Sequence, residues 1–205
     1  QPGIELGQNS IRGCKKMKRI TIPSFIKTIG DSAFRECTSL KRITIPSSVN
    51  TIGSHAFREC TNMERFLIIS SSITVIDFYT FYRCRSLTQF LIPNSVTVIR
   101  DSAFDGCSNL KSITIPSSVT VIGNYVFSDC SALTEISIPA SVNSIGFYVF
   151  NKCTALVKAY ILSNSFADLG GSLFQECTSL EELVINSSLS GNNFGVNSRV
   201  KITQI

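Results

Sequence analysis

Apolar residues recur along this chain as a fixed word rather than as a simple alternation. Between Ile113 and Leu133 the anchors are Ile113, Ile115, Val119, Ile122, Val126, Phe127, Cys130 and Leu133, and nearly the whole chain can be laid over this stretch in register. Eight cysteines, Cys14, Cys37, Cys60, Cys84, Cys107, Cys130, Cys153 and Cys177, mark seven steps, five of 23 residues and two of 24. A tandem word of that length describes coils that cannot bury their apolar sides alone and must stack into a solenoid.

Within each word the apolar spacing predicts the elements. Leu40, Ile43 and Ile45, or Leu110, Ile113 and Ile115, alternate around polar residues, which predicts a short strand with isoleucines inward and Arg42 and Thr44 outward. Pro46, like Pro23, Pro93, Pro116 and Pro139, lacks an N–H and suits the strand's end. The Ser-Ser pair that follows is turn chemistry. Next come a Val-x-x-Ile pair and a glycine (Gly30, Gly53, Gly123, Gly146, Gly170), replaced by Asp77 and Arg100 in two coils. A position that accepts Arg does not demand a left-handed backbone in every coil. Asp31-Ser32-Ala33-Phe34 and its copies read as the N-cap of a single helical or 3₁₀ turn. Phe34, Phe57, Phe81, Phe104, Phe127, Phe150 and Phe174 each stand three residues before a cysteine, so Phe and Cys form stacked core columns.

Two coils carry Ile69 and Leu162 in place of proline and hold the extra residue of the 24-residue steps, which reads as local bulges. The last unit loses the word: Asn186 replaces Pro, Asn192 replaces Ile, and Asn197 replaces Phe before Val200-Lys201-Ile202. The expected architecture is a mainly β repeat solenoid, a right-handed coil with short parallel strands on one face and turns with short 3₁₀ or helical turns on the other. It forms a single domain over 1–205, of about eight coils, with a divergent C-terminal coil at 187–205.

Composition narrows the functional classes. With 43% hydrophobic and 16% charged residues in 205, the chain is globular rather than disordered. No apolar run reaches 18 residues, so no membrane insertion is expected. The opening Gln1-Pro2-Gly3, without Met, suggests a piece or processed product of a longer protein. Net charge is +5, but Lys and Arg exceed acids by eleven to five up to Arg65 and trail them by eight to nine beyond it. The basic coils lack the interleaved aromatics of a nucleic-acid face, so no nucleic-acid partner is expected. His55 is the one histidine and lies in a variable column with Ser32, Tyr79, Ser102, Tyr125, Tyr148 and Ser172. No base stands ready for a cysteine nucleophile, no glycine loop cradles phosphate, and no Cys-x-x-Cys pair suits zinc; the expectation is no enzyme, no cofactor and no metal. Disulfides between successive coils are one reading of the cysteines. A column of eight reduced, shielded thiols is the other, favoured because all point inward in parallel.

The Ile-Pro-Ser-Ser-Val, Ile-Gly, Ala-Phe and Cys-x-x-Leu blocks, recurring over roughly residues 4 to 190, resemble the BspA-like leucine-rich-repeat family, which includes the Treponema pallidum type. The resemblance implies a surface or secreted binding module, a group implicated in adhesion to host cells or matrix proteins, and carries no ligand residues with it. Asn186-Ser187-Ser188 is the one glycosylation sequon. An intracellular interaction scaffold stays open as an alternative. So does weak self-association between the basic coils and an acidic end at Glu176, Glu181 and Glu182. For a protein ligand, the outward strand columns are the first choice, with Arg19, Arg42, Thr44, Arg65, Leu67, Gln89, Leu91 and Tyr160. The second is an aromatic patch on the turn side: Phe78, Tyr79, Tyr82, Tyr125, Phe147 and Tyr148.

Overall fold

A computed structural model describes residues 4–68, 70–190 and 194–205. The apolar word folds into stacked coils whose strands all pair in parallel. The front ladder holds the predicted strands: Arg19–Thr21, Arg42–Ile45, Arg65–Ile68, Gln89–Leu91, Ser112–Thr114, Glu135–Ile138, Lys158–Ile161 and Glu182–Ile185, closed by Lys201–Gln204. Burial alternates as the pattern requires, with Ile43 and Ile45 buried and Arg42 and Thr44 exposed.

A second ladder goes beyond the predicted strands. The Val-x-x-Ile region forms its own parallel strands, from Ile4–Leu6, Ile26–Ile29 and Thr51–Ile52 through Val75–Ile76, Val98–Ile99, Val121–Ile122 and Ser144–Ile145 to Asp168–Leu169. The core lies between the ladders and the turns, and two columns run its length. Successive Phe rings from Phe34 to Phe174 stack at 5.1–5.8 Å with 5–15° between planes. Phe66 and Phe90 replace isoleucine in the middle coils and add rings packed at 4.7–4.9 Å against that stack.

The expected helical turn does not form. Within the described residues the one 3₁₀ helix is Ser187–Leu189, capped by Asn186 of the sequon, whose Oδ1 accepts from the Ser188 N–H at 3.0 Å. Elsewhere alternate N–H groups bond back within the coil, as Arg35 to Ser32 (3.0 Å), and across to the next coil, as Phe34 to Ala56 (2.8 Å) and Glu36 to Arg58 (2.8 Å). That alternation requires left-handed residues. Ser32, His55, Tyr79, Ser102, Tyr125, Tyr148 and Ser172 have φ of 54–59°, and Glu36, Glu59, Arg83, Asp129, Lys152 and Glu176 have φ of 55–61°. Each such L-residue costs roughly 1–2 kcal/mol, offset by a well-formed bond to the neighbouring coil.

The recurring glycines answer to crowding instead of φ. A Cβ on Gly53 would lie 2.7 Å from the Asp31 N, and one on Gly123 2.7 Å from the Asp101 N. Asp31, Asp101 and Asn124 do not cap their own turn but accept, through Oδ1, from the N–H of Ser54, Asn124 and Phe147 in the next coil, at 2.9–3.0 Å. Asp77 and Arg100, which replace glycine in adjacent coils, pair with each other at 3.5 Å.

The inserts also differ from simple bulges. Ile69 and Asn192, like Gln1-Pro2-Gly3, fall outside the described residues. Ser70 and Ser163 are turned into the core, and their hydroxyls are satisfied by Val49 O and Ser165 O (2.7 Å). At the C-terminal end Asn197 is exposed, and it is Phe194 that is buried, its carbonyl taking the Phe174 N–H at 3.1 Å. The shortened last coil reaches the core with an earlier residue than strict repeat spacing assigns.

Candidate functional site

The outward positions of the front ladder are brought into straight columns by the pairing register. Arg19 faces Arg42, which faces Arg65; Thr21, Thr44 and Leu67 follow the same order. Gln89 and Leu91 face Ser112 and Thr114. Further on, Glu135, Lys158, Glu182 and Lys201 form one column, and Ser137, Tyr160, Val184 and Thr203 the other. Leu67 and Leu91 are 48% and 71% exposed, unusual for leucines so close to a core. Three shallow hollows lie end to end on this face. One of about 280 Å³ lies between Arg19 and Thr44, one of about 590 Å³ includes Arg65, Leu67, Gln89 and Leu91, and one of about 480 Å³ continues over Ser112 and Glu135.

Seven of the eight anticipated strand-face residues are therefore neighbours. Tyr160 is not among them: it stands three strands beyond Leu91, past Thr114 and Ser137, and is half-buried. Lys158 Nζ lies 5.0 Å from the Tyr160 ring centroid and 2.7 Å from Glu182 Oε2. Hydrogen bonding to Glu182 and then to Tyr160 holds the Lys158 ammonium above its ordinary range, while Lys158 and then Thr203 hold the Glu182 carboxyl below its own. The acid at this end is thus engaged within the chain, which leaves Glu176 and Glu181 as the exposed acids available to a basic partner surface.

On the turn side the aromatic residues form two groups rather than one patch. His55 stacks on Tyr79 at 4.9 Å, Tyr79 meets Tyr82 edge-on at 5.6 Å, and Arg58 and Arg83 lie 4.8 and 5.0 Å from the Tyr82 centroid. Phe78 carries Arg100 at 5.0 Å. Tyr125 and Tyr148 stack at 5.3 Å beside an exposed Phe147. Ser102 occupies the column between the groups and is buried. Burial, followed by the charges of Arg58 and Arg35, pushes the His55 imidazole below its usual pKa.

The cysteines are all unpaired, but the expected shielding fails at one position. Cys14 is exposed, whereas Cys37 to Cys177 are buried. Each buried Sγ donates to a carbonyl of the preceding coil: Cys37 to Ile11, and the rest to the column phenylalanines, as Cys60 to Phe34 at 3.1 Å and Cys153 to Phe127 at 3.2 Å. Burial pushes the Cys37 thiol up to about 11 and holds Cys60, Cys84, Cys107, Cys130 and Cys153 well above the ordinary thiol range. Such thiols are poor nucleophiles and poor ligands. Among the described residues no group of three or more His, Cys, Asp or Glu could hold a metal ion, and no helix is long and apolar enough to cross a membrane.

The family model for the BspA type leucine rich repeat region matches residues 4–132 and 74–201, in six copies. The chain belongs to that family. BspA-type repeats, like leucine-rich repeats generally, serve as protein-interaction modules, and the family and fold are typically non-catalytic. No curated protein matches the chain significantly. Among solved structures it is similar to a leucine-rich repeat protein from Bacteroides ovatus, at 25% identity and a TM-score of 0.67 over 98% of this chain and 66% of that one. It is also similar to the leucine-rich repeat protein of T. pallidum, at 29% identity and a TM-score of 0.53 over 81% and 68%. A leucine rich cell surface protein from Faecalibacterium prausnitzii shares the fold at 21% identity and a TM-score of 0.52, over 98% and 82%. The chain spans about two thirds of the length of the first two.

Proposed function

We propose that this BspA-type solenoid is a non-catalytic recognition module of a cell-surface or secreted protein, acting as one domain that presents its front ladder to a protein ligand in adhesion to host cells or matrix. The observation that carries this reading is the run of Arg19, Arg42, Thr44, Arg65, Leu67, Gln89 and Leu91, exposed on successive coils: the first three strands are hydrogen-bonded in register, and the Gln89–Leu91 strand packs beside the third, where both line one hollow. A strand ladder fixes these side chains at the backbone, so little entropy is left to lose on association. The surface location draws support from a protein of the same fold described as a leucine rich cell surface protein.

The stacked turn-side rings support a second surface, since Tyr and Arg together are the usual anchors of interfaces. Two grouped variants separate the faces. One carries Arg42→Glu, Arg65→Glu and Leu91→Ser; the other carries Tyr79→Ser, Tyr125→Ser and Tyr148→Ser. Each is checked by circular dichroism and applied to immobilised extracellular-matrix proteins and host cells. The strand-face variant is expected to lose binding. Loss confined to the aromatic variant rejects the strand face, and no binding by the unaltered protein rejects adhesion.

A further inference from the structure

We infer that the occupant of the N-terminal half of the front ladder is an extended peptide segment in which a run of acidic residues adjoins bulky apolar ones. This rests on the front ladder being the recognition face and narrows what it recognises. Two features meet there. Arg19, Arg42 and Arg65 hold the same outward position on three paired strands, so their side chains rise every ~4.8 Å. All three are exposed, and none has an ion-pair partner among the described residues. The carboxylate that feels Arg42 and Arg65, Glu64, is bonded to Lys41 at 2.9 Å, and Lys41 first, then Arg42 and Arg65, hold its carboxyl below the usual range. Like charges set opposite one another in a sheet repel, so the column leaves uncompensated positive charge over a hollow of about 280 Å³.

The second feature abuts the first. Leu67 lies two residues from Arg65 on the same strand, and Leu91 stands on the next coil, both exposed beside Phe66 and Phe90 in the hollow of about 590 Å³. A sulfated glycan or nucleic acid would use the arginines and leave the leucines bare. A nucleic acid would also want rings to stack on, and the outward columns from Arg19 to Gln89 and from Thr21 to Leu91 carry no aromatic residue. An apolar helix would cover the leucines and bury unpaired guanidinia. An extended peptide laid along the solenoid axis places same-side carboxylates ~6.8 Å apart, twice the rise per residue. That is within the play of long arginine side chains, whose forked donors match carboxylates. Its apolar residues then reach Leu67 and Leu91.

The test is fluorescence anisotropy on the whole chain with a labelled peptide of three glutamates adjoining two leucines. Companion peptides carry lysine for glutamate or serine for leucine, and a heparin oligosaccharide and a single-stranded oligodeoxynucleotide serve as competitors. The Glu–Leu peptide is expected to bind and the lysine peptide not to. The double change Arg42→Glu with Arg65→Glu should weaken binding about tenfold or more, and salt should weaken it steeply. Leu91→Ser should weaken it severalfold with the salt dependence unchanged. Should the charge reversal disturb folding by circular dichroism, Arg42→Gln with Arg65→Gln reads the same contact. Equal binding of glutamate and lysine peptides overturns the inference, as does insensitivity to the folded arginine variants. So does displacement by either polyanion combined with no effect of Leu91→Ser. If the grouped strand-face variant loses matrix or cell binding while the Glu–Leu peptide never binds, this inference falls and the recognition face stands. If neither ligand depends on the face, both fall.

Discussion

One column of the front ladder is written in two ways. At the N-terminal end it reads Arg19, Arg42, Arg65; at the C-terminal end it reads Glu135, Lys158, Glu182, Lys201. Both stretches are in-register parallel strands with apolar residues inward, so the difference in charge lies in the outward side chains. The second version alternates in sign and pairs at its centre: Lys158 bonds Glu182, and Thr203 Oγ1 donates to Glu182 at 2.9 Å. The first does not, and opposing like charges cost a sheet roughly 0.2–1 kcal/mol per pair. A solenoid core this regular carries such a surface cost locally, because each coil interacts with its neighbours only. The unpaired column is thus the one with chemistry left to offer a partner.

The largest expected effect lies beneath both versions and serves as their common control. Phe104, fully buried in the ring stack, should cost about 3–5 kcal/mol when changed to Ala, read as a fall in the urea midpoint. Thiol labelling follows the same unfolding: Cys14 should react at once, and the seven buried thiols only as the coils open. If Phe104→Ala left the midpoint unchanged, the coils would not share one core.

Next in size is Lys158→Glu, which removes the cation between Glu135 and Glu182, sets three carboxylates in a row in the alternating column, and should lower stability. Adding Glu182→Lys to it should restore much of the loss, and a cycle without coupling between the two sites would show that the 2.7 Å pair is incidental. Acid separates the ends in a third way. The Glu182 carboxyl is held below its ordinary value by Lys158 and then Thr203, so its stabilisation is fully present above that ordinary value and is lost as pH falls through the lower folded one. Arginines do not titrate there. Amide exchange, corrected for intrinsic rates, should therefore speed up in Lys158–Ile161 and Glu182–Ile185 on acidification before it does in Arg19–Thr21, two strands away from Arg65 and its neighbour Glu64, whose carboxyl is also held low. Equal acceleration of both ends would contradict the pairing as the cause.

Much of this was legible in the sequence, because a tandem word reports each structural position several times over. The strand, its inward isoleucines, the Phe and Cys columns and the outward order of Arg19, Arg42 and Arg65 all follow from alternation and period. The second ladder was not legible, since its strands shrink to two residues at Thr51–Ile52 and Val75–Ile76, too short for any periodicity. Nor were the left-handed Tyr79, Tyr125 and Tyr148, whose φ is set by bonds to the next coil and not by local preference. Exposure of Cys14 and burial of Phe194 depend on which coil is covered, which a repeat pattern does not encode. The three repeats between Leu91 and Tyr160 can be counted from the period, but the half-burial of Tyr160 beside Lys158 cannot.

Arg42 is exposed and has no ion-pair partner among the described residues, which leaves it available to a ligand. The substitution Arg42→Glu places a carboxylate between Arg19 and Arg65, so that two repulsive pairs become attractive, offset in part by the lost attraction to Glu64. The urea midpoint of this variant, measured with and without the Glu–Leu peptide, is the most direct test. The prediction is a protein more stable by about 0.5–1 kcal/mol that gains less stability from the peptide than the parent does. A variant less stable than the parent, or one still stabilised by the peptide to the same degree, would contradict it.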